Sequence, residues 1–406
     1  MKSITKLRPL NEVCQISNGY AFKSEDFLKS GVPLLRISNI NDEKVTFTDN
    51  TVYLDKSNLD KYKNFIVRKG DVVIALSGAT TGKYGIYQSE TPCLLNQRIG
   101  IIRNESSTVL DSKYFYFYLG TLKSEILRKA QGAAQPNIST KDLGKMCIPL
   151  PPLAEQKQIA AILDAADSLR QKDQQLIEHY IALSQSLFLE MFGDPVSNPM
   201  EWEKKILSDF IQNLNTGVSV NSGDEKYSQD KFGVLKTSCV YSGEFRPEEA
   251  KVIRSDEFER MKLNPQADSI IISRMNTTEL VGKSAYINQD YPSLFLPDRL
   301  WQSEKNKLDH NVRWLAKAIS FDSFMNEIGK ISSGTSGSMK NISKKNFLNL
   351  PLIYPPAELQ NQFAERVAII EQQKQQAQTN LKNSEALFNS LLQRAFTGEL
   401  TADKAA

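Results

Sequence analysis

A repeat at one fixed offset constrains this chain more than any other feature. Residues 133–152 read AAQPNISTKDLGKMCIPLPP and residues 336–356 read SGSMKNISKKNFLNLPLIYPP. Asn137-Ile138-Ser139 and Asn341-Ile342-Ser343 stand 204 positions apart, and so do Pro151-Pro152 and Pro355-Pro356. Two unrelated motifs that share one offset mark a duplicated module. Phe192 and Phe396 keep the same spacing.

Each Pro-Pro pair opens a long run without Gly or Pro, from about Ala154 to Phe192 and from about Glu358 to Phe396. Proline suits a first helical turn, and the glycines at or just past the ends (Gly193, Gly398) stop a helix. Apolar residues recur on alternating four- and three-residue steps. The first stripe is Ile162, Ala166, Leu169, Leu176, Tyr180, Leu183 and Leu187, interrupted by Asp173. The second is Val367, Ile370, Ala377, Leu381, Phe388, Leu391 and Ala395, interrupted by Lys374 and Ser384. These spacings predict heptad seams. A chain that leaves one helix, builds a globular domain and returns on the other sets the two antiparallel. Each helix would span about 55 Å.

The blocks between are of a different kind. VPLLRISNI, GDVVIALSG and QRIGIIR in the first, and FGVLKTSCV and DSIIISRM in the second, read as short strands. Residues 112–130 and 311–331 read as helices. The expected fold is therefore α/β (α+β). Two similar globular domains are separated by two long helices packed as an antiparallel coiled coil, with internal pseudo-twofold symmetry. The expected partition is a first domain at 1–150, a central helix region at 151–198, a second domain at 199–353 and a C-terminal helix region at 354–406.

Charge follows the same partition. Residues 1–150 carry 21 Lys and Arg against 14 Asp and Glu, which favours a polyanionic partner. Residues 151–198 carry 3 against 7, which suits a protein-binding face. The second domain, with 21 against 20, is nearly neutral, so a nucleic-acid surface there must be local.

Several chemistries are disfavoured. The four cysteines are scattered and the two histidines lie far apart, which argues against thiolate or His metal sites and for a reducing cytoplasm. No apolar run suits a membrane span, and the N-terminus lacks a secretory core. GATTGKYG (78–85) has three residues between its glycines where a phosphate loop needs four. PLPPL and IYPPA lack the flanking residues of an amino-methyltransferase loop. Asp298, Glu304 and Lys307 miss nuclease spacing by one residue. No catalytic constellation emerges, and no cofactor or metal is expected on this chain.

Arg, Lys, Asn, Gln, Ser and Thr on loops are what reads base edges and grips phosphates. The first domain offers Lys23, Arg36, Asn39, Thr80, Thr81, Lys83, Asn96, Gln97, Arg98 and Gln135. The second offers Lys236, Arg274, Asn276, Thr277, Lys283, Arg299, Ser336 and Lys340. Asn137 and Asn341 suit helix capping or an Asx turn instead.

SNGYAFKSEDF (17–27), PLLRISNI (33–40), KGDVVIALSGATTGKYG (69–85), LLNQRIGIIR (94–103), GAAQPNIST (132–140) and PLPPLAEQKQIAAILDAAD (149–167) occur in order, with YPPAELQNQFAERV (354–367) as a partner. In these motifs the whole chain resembles the DNA-specificity subunit of type I restriction-modification systems. The resemblance implies a non-catalytic, DNA-binding subunit whose two target recognition domains each read half of a bipartite asymmetric site in double-stranded DNA. It implies that the helices fix the gap and dock two modification subunits. Those would bring S-adenosylmethionine and methylate adenine. ATP- and Mg-dependent restriction subunits would complete the nuclease. The competing readings are a fused methyltransferase-nuclease, which needs motifs this chain lacks, and a coiled-coil adaptor without a DNA role.

Overall fold

A computed structural model describes residues 6–41, 43–130, 136–228, 230–334 and 339–400. Gln135 and Ser336, two of the candidate readers, lie outside the described residues. The chain forms two compact units, residues 1–174 with 378–406, and residues 175–377.

In the first unit a six-stranded sheet runs Cys14–Asn18, Ile99–Asn104, Val72–Ala75, Tyr84–Ile86, Glu43–Val45, Ile40–Asn41. Val72–Ala75 is buried along its whole length, which explains its continuous apolar run. A second sheet of four short strands contains one parallel pair, Leu34 opposite Leu94. The helix Ser112–Ala130 packs Tyr114, Phe115, Tyr118 and Leu122 into a core with Val72, Ile74 and Ile102.

The second unit repeats the plan. Ile211–Thr216, Leu300–Lys305, Ser269–Ser273 and Ser284–Ile287 form one sheet, and Gly233 opposite Leu294 reproduces the parallel pair in the other. The helix expected at 311–331 is two helices, Val312–Ile319 and Asp322–Ile331. The break has a local cause. The Ser320 hydroxyl donates back to Lys317 O at 2.8 Å, and Phe321 turns extended and buries its ring.

The repeated joint is built the same way twice, though not by the asparagines. Ser139 caps a single turn by accepting from Asp142 N at 3.0 Å, and Ser343 does so from Asn346 N at 3.1 Å. Asn137 and Asn341 are extended instead, bridged to Ser77 and to Ser333 respectively. Each joint then locks its helix with a buried glutamine. Gln156 Nε2 donates to Pro151 O (2.8 Å) and Val109 O (3.0 Å), while its Oε1 accepts from Asp111 N. Gln360, 204 positions on, donates to Pro355 O at 2.7 Å and accepts from Asn311 N at 2.9 Å.

The long helices are Leu153–Phe192 and Ala357–Phe396. In the first unit the Arg170 guanidinium lies over the Phe388 ring at 5.7 Å. In the second, Phe188 and Phe192 pack on Phe363, both at 5.4 Å between centroids. In each unit the earlier part of one long helix packs on the later part of the other. The second seam follows the expected stripe: Val367 and Ala377 are buried, and Ile370, Leu381, Phe388 and Leu391 are partly so. The first seam is corrected. Leu169, Leu176 and Leu183 are 47%, 39% and 50% exposed, and Ile162 is only partly covered. The inward positions are one residue on: Leu163, Ile177 and Ser184 are buried and Arg170 partly so, with Ala166 buried and Leu187 partly buried as expected. Leu163 and Ile177 are as apolar as the leucines beside them, and the fold turns Leu169, Leu176 and Leu183 outward.

Candidate nucleic-acid interface

In the first unit three loops are stitched side by side. The loop after Val72–Ala75 is central. Leu76 N donates to Arg98 O (2.9 Å), Ile138 N donates to Leu76 O (2.9 Å), and Gly78 N donates to Pro136 O (3.0 Å). The sequence is built for close approach here. A Cβ on Gly19 would stand 2.1 Å from Asn96 O, and one on Gly217 would stand 1.7 Å from Leu296 O. Only glycine lets the strand leaving each sheet pass so near the loop that carries Asn96-Gln97-Arg98, or Pro297-Asp298-Arg299 in the second unit.

These contacts sort the candidate residues. Thr81 is buried, and its hydroxyl reaches Gly78 O (2.7 Å) and Pro136 O (2.9 Å), so it holds two loops together. Asn39 is also buried. Its Oδ1 accepts from Arg36 N (2.9 Å) and its Nδ2 donates to Thr46 O (3.2 Å). Neither side chain faces solvent. Arg36, Thr80, Gln97 and Arg98 do, and among the described residues Arg36, Gln97 and Arg98 spend no side-chain atom on a protein partner. Lys83 is half-buried and donates to Asn41 Oδ1 at 3.4 Å. Asn96 is half-buried beside Tyr20. Lys23 is exposed and ion-paired with Glu25 at 3.2 Å.

The second unit reuses the stitching with different side chains. Arg274 N donates to Arg299 O (3.1 Å), and Ile342 N donates to Arg274 O (3.0 Å), as Leu76 does in the first. The half-buried Arg274 also sends Nε to Asp298 O at 2.8 Å, so its guanidinium braces the loop that presents the exposed Arg299. Asn276 donates to Tyr241 Oη at 2.6 Å and accepts from Thr277 N, and Lys340 donates to Gly334 O at 3.3 Å. Thr277 is exposed and Lys283 half-buried. Lys236 stands where Arg36 stands, 200 positions on, but pairs with Glu249 at 3.5 Å. The Ser238 hydroxyl, then Lys236 and Arg246, hold that carboxyl below its usual range.

Asn41, Tyr241 and Glu249 were not legible as site residues. Each holds a candidate reader from another part of the chain, 42, 35 and 13 positions away respectively. The 200-residue spacing of Arg36 and Lys236 was the one available pointer to Glu249. Chemically, each unit presents amide donors and acceptors and delocalised cations on loops fixed by backbone bonds. That is the equipment for groove contact with a duplex. Among the described residues no group of His, Cys, Asp and Glu could hold a metal ion, and no helix is long and apolar enough to cross a membrane.

Comparison with known proteins gives the class. The family model described as the type I restriction modification DNA specificity domain matches twice, at residues 5–179 and 199–384. The chain is 26% identical to the EcoKI specificity subunit of Escherichia coli K12, over 98% of this chain and 89% of that one. It is 35% identical to the MjaVIII specificity subunit of Methanocaldococcus jannaschii, over 42% of this chain and only 41% of that one. The S subunit of a type I system from M. genitalium shares the fold at a TM-score of 0.58 and 16% identity, with 96% of each chain covered. The protein belongs to the type I restriction-modification specificity family.

Proposed function

We propose that this chain is the DNA-reading, non-catalytic subunit of a type I restriction-modification complex, each unit reading one half of a bipartite asymmetric site. The observation that carries the reading is one loop scaffold used twice with different side chains. Gln97 gives way to Asp298, Leu76 to Arg274, and the free Arg36 to a paired Lys236. Two divergent readers suit two different half-sites. The long helices set the gap between the halves and dock two modification subunits, which supply S-adenosylmethionine. Restriction subunits supply ATP and Mg chemistry. The exposed row Leu169, Leu176, Leu183 on the acidic first helix supports protein docking there.

The test is reconstitution with the modification subunits, followed by mapping of the methylated sequence. Removing one heptad from both long helices should shorten the unspecified gap and leave both half-sites unchanged. An altered half-site would sink the ruler model, and salt-sensitive binding without sequence selectivity would favour an adaptor.

A further inference from the structure

In each unit one 3₁₀ turn, Ile37–Asn39 or Thr237–Val240, is followed by a residue at positive φ, Glu43 (62°) or Gly243 (78°). Both bends carry an acid that faces the long helix: Glu43 in the first unit and Glu244 in the second. On the long helices the 204-residue offset pairs Asp167 with Glu371 and Arg170 with Lys374.

In the second unit these groups pair across elements. Lys374, only 14% exposed, is ion-paired with Glu244, and Glu371 pairs with Arg313 of the helix Val312–Ile319 at 3.4 Å. In the first unit they do not. Arg170 stays on its own helix, with Nε and Nη2 at 3.0 and 2.7 Å from Asp167 Oδ1 and the guanidinium over Phe388. Lys113, at the position of Arg313, pairs with Asp164 at 2.7 Å. The acid of the bend is left facing a cavity of about 470 Å³.

That cavity has a defined chemistry. Tyr84 Oη and Tyr116 Oη donate to the two oxygens of Glu43 at 2.8 and 2.7 Å. They fix the carboxylate, and each oxygen keeps a further lone pair. Asp167 and Glu385 stand on the helix side, and the side chain of Glu385 has no hydrogen bond or ion pair among the described residues. Three carboxylates against one guanidinium leave the walls two charges negative. The ring of Phe388 adds a face that suits a cation. An anion would meet uncompensated carboxylates, and an apolar ligand would strip water from them.

We propose that the first unit's cleft is a socket for one guanidinium or ammonium group from outside the chain, the counterpart of the lysine that the second unit carries within it. Two sources share that chemistry: a free amine, and a basic side chain of a protein partner.

The test uses the full chain, with agmatine as the probe because it carries both a guanidinium and an ammonium. Agmatine binding is read by calorimetry, and assembly with the modification subunits is read in parallel. Glu43→Gln should weaken one of the two at least tenfold. Asn389→Lys, which supplies a resident ammonium, should abolish the same one while thermal unfolding stays intact. Glu244→Gln, in the other unit, should leave both unchanged. If the loss falls on agmatine binding, the occupant is a free amine; if it falls on assembly alone, it is a partner's side chain. Glu43→Gln leaving both agmatine binding and assembly at their wild-type level, or agmatine failing to bind while assembly is untouched, would overturn the proposal. Sequence-selective DNA binding, read on the same wild-type complex, tests the specificity reading separately.

Discussion

His310 is 3% exposed, with its ring edge-on to Phe210. Nδ1 lies 2.8 Å from Leu308 O, an acceptor, so the neutral Nδ1–H tautomer fits, and Nε2 has no partner among the described residues. Burial holds the imidazole below its ordinary value of 6.5, and the hydrogen bond to Leu308 and the nearby Asp268 and Asp309 offset only part of that. The unfolded chain therefore takes up the proton first as pH falls. Stability is full above about 6.5 and is lost as pH drops toward the folded value. The unfolding midpoint of the wild type should fall between about pH 7 and pH 5, and His310→Phe should flatten that dependence. An equal slope in the variant would assign the effect elsewhere. Nothing in the sequence marks His310 as buried. Thr81 and Asn39 were opaque for the same reason. Their residue types suit base reading, but the loop geometry that captures their hydrogen-bonding atoms depends on contacts such as Thr81 to Pro136, 55 positions away. The Ser139 cap was half legible. Asn-Ile-Ser signalled a helix start, and both its Asn and its Ser are good caps. The choice fell to Ser because Asn137 is held extended against Ser77.

At the scale of the element, the seam of the first long helix tests how far apolar pattern can be read. Apolar spacing pointed to Leu169, Leu176 and Leu183, whereas the fold buries Leu163, Ile177 and Ser184 and half-buries Arg170. The sequence did hold the right register. Subtracting 204 from the second seam carries Val367, Ile370, Lys374, Leu381 and Phe388 onto Leu163, Ala166, Arg170, Ile177 and Ser184. The duplicated spacing was the better guide, because it carries over the packing of the second seam and not only the apolar pattern of the first. Leu163→Ala should cost about 2–5 kcal/mol of stability by thermal or urea unfolding. Leu183→Lys should cost no more than about 0.5 kcal/mol. The reverse order would restore the leucine seam. The broken helix at Ser320-Phe321 shows the opposite limit. Helical spacing continues through the break, and the hydroxyl-to-carbonyl bond that ends the first segment leaves no periodic trace.

For the whole molecule, the domain order expected from the sequence hides how each unit is closed. The first unit draws on residues 1–174 and then on 378–406. Tyr114 and Tyr118 pack on Phe396 at 5.3 and 5.0 Å, and Ala395 is buried in the same core. The second unit is a continuous stretch, 175–377. Cutting the chain after Ala377 should therefore strip amide-exchange protection from Ile99–Asn104 and the helix Ser112–Ala130, while Ser269–Ser273 keeps its own. Equal loss in both units would mean the two are not separable. The same arrangement sets a schedule on the ribosome. The last strand-bearing stretch of the first unit is made early, but its closing helix segment begins at residue 378, a delay of about 10–40 s at ~5–20 residues per second. During that interval the nascent first domain carries an uncovered aromatic face, and the second, made later, is free to finish first.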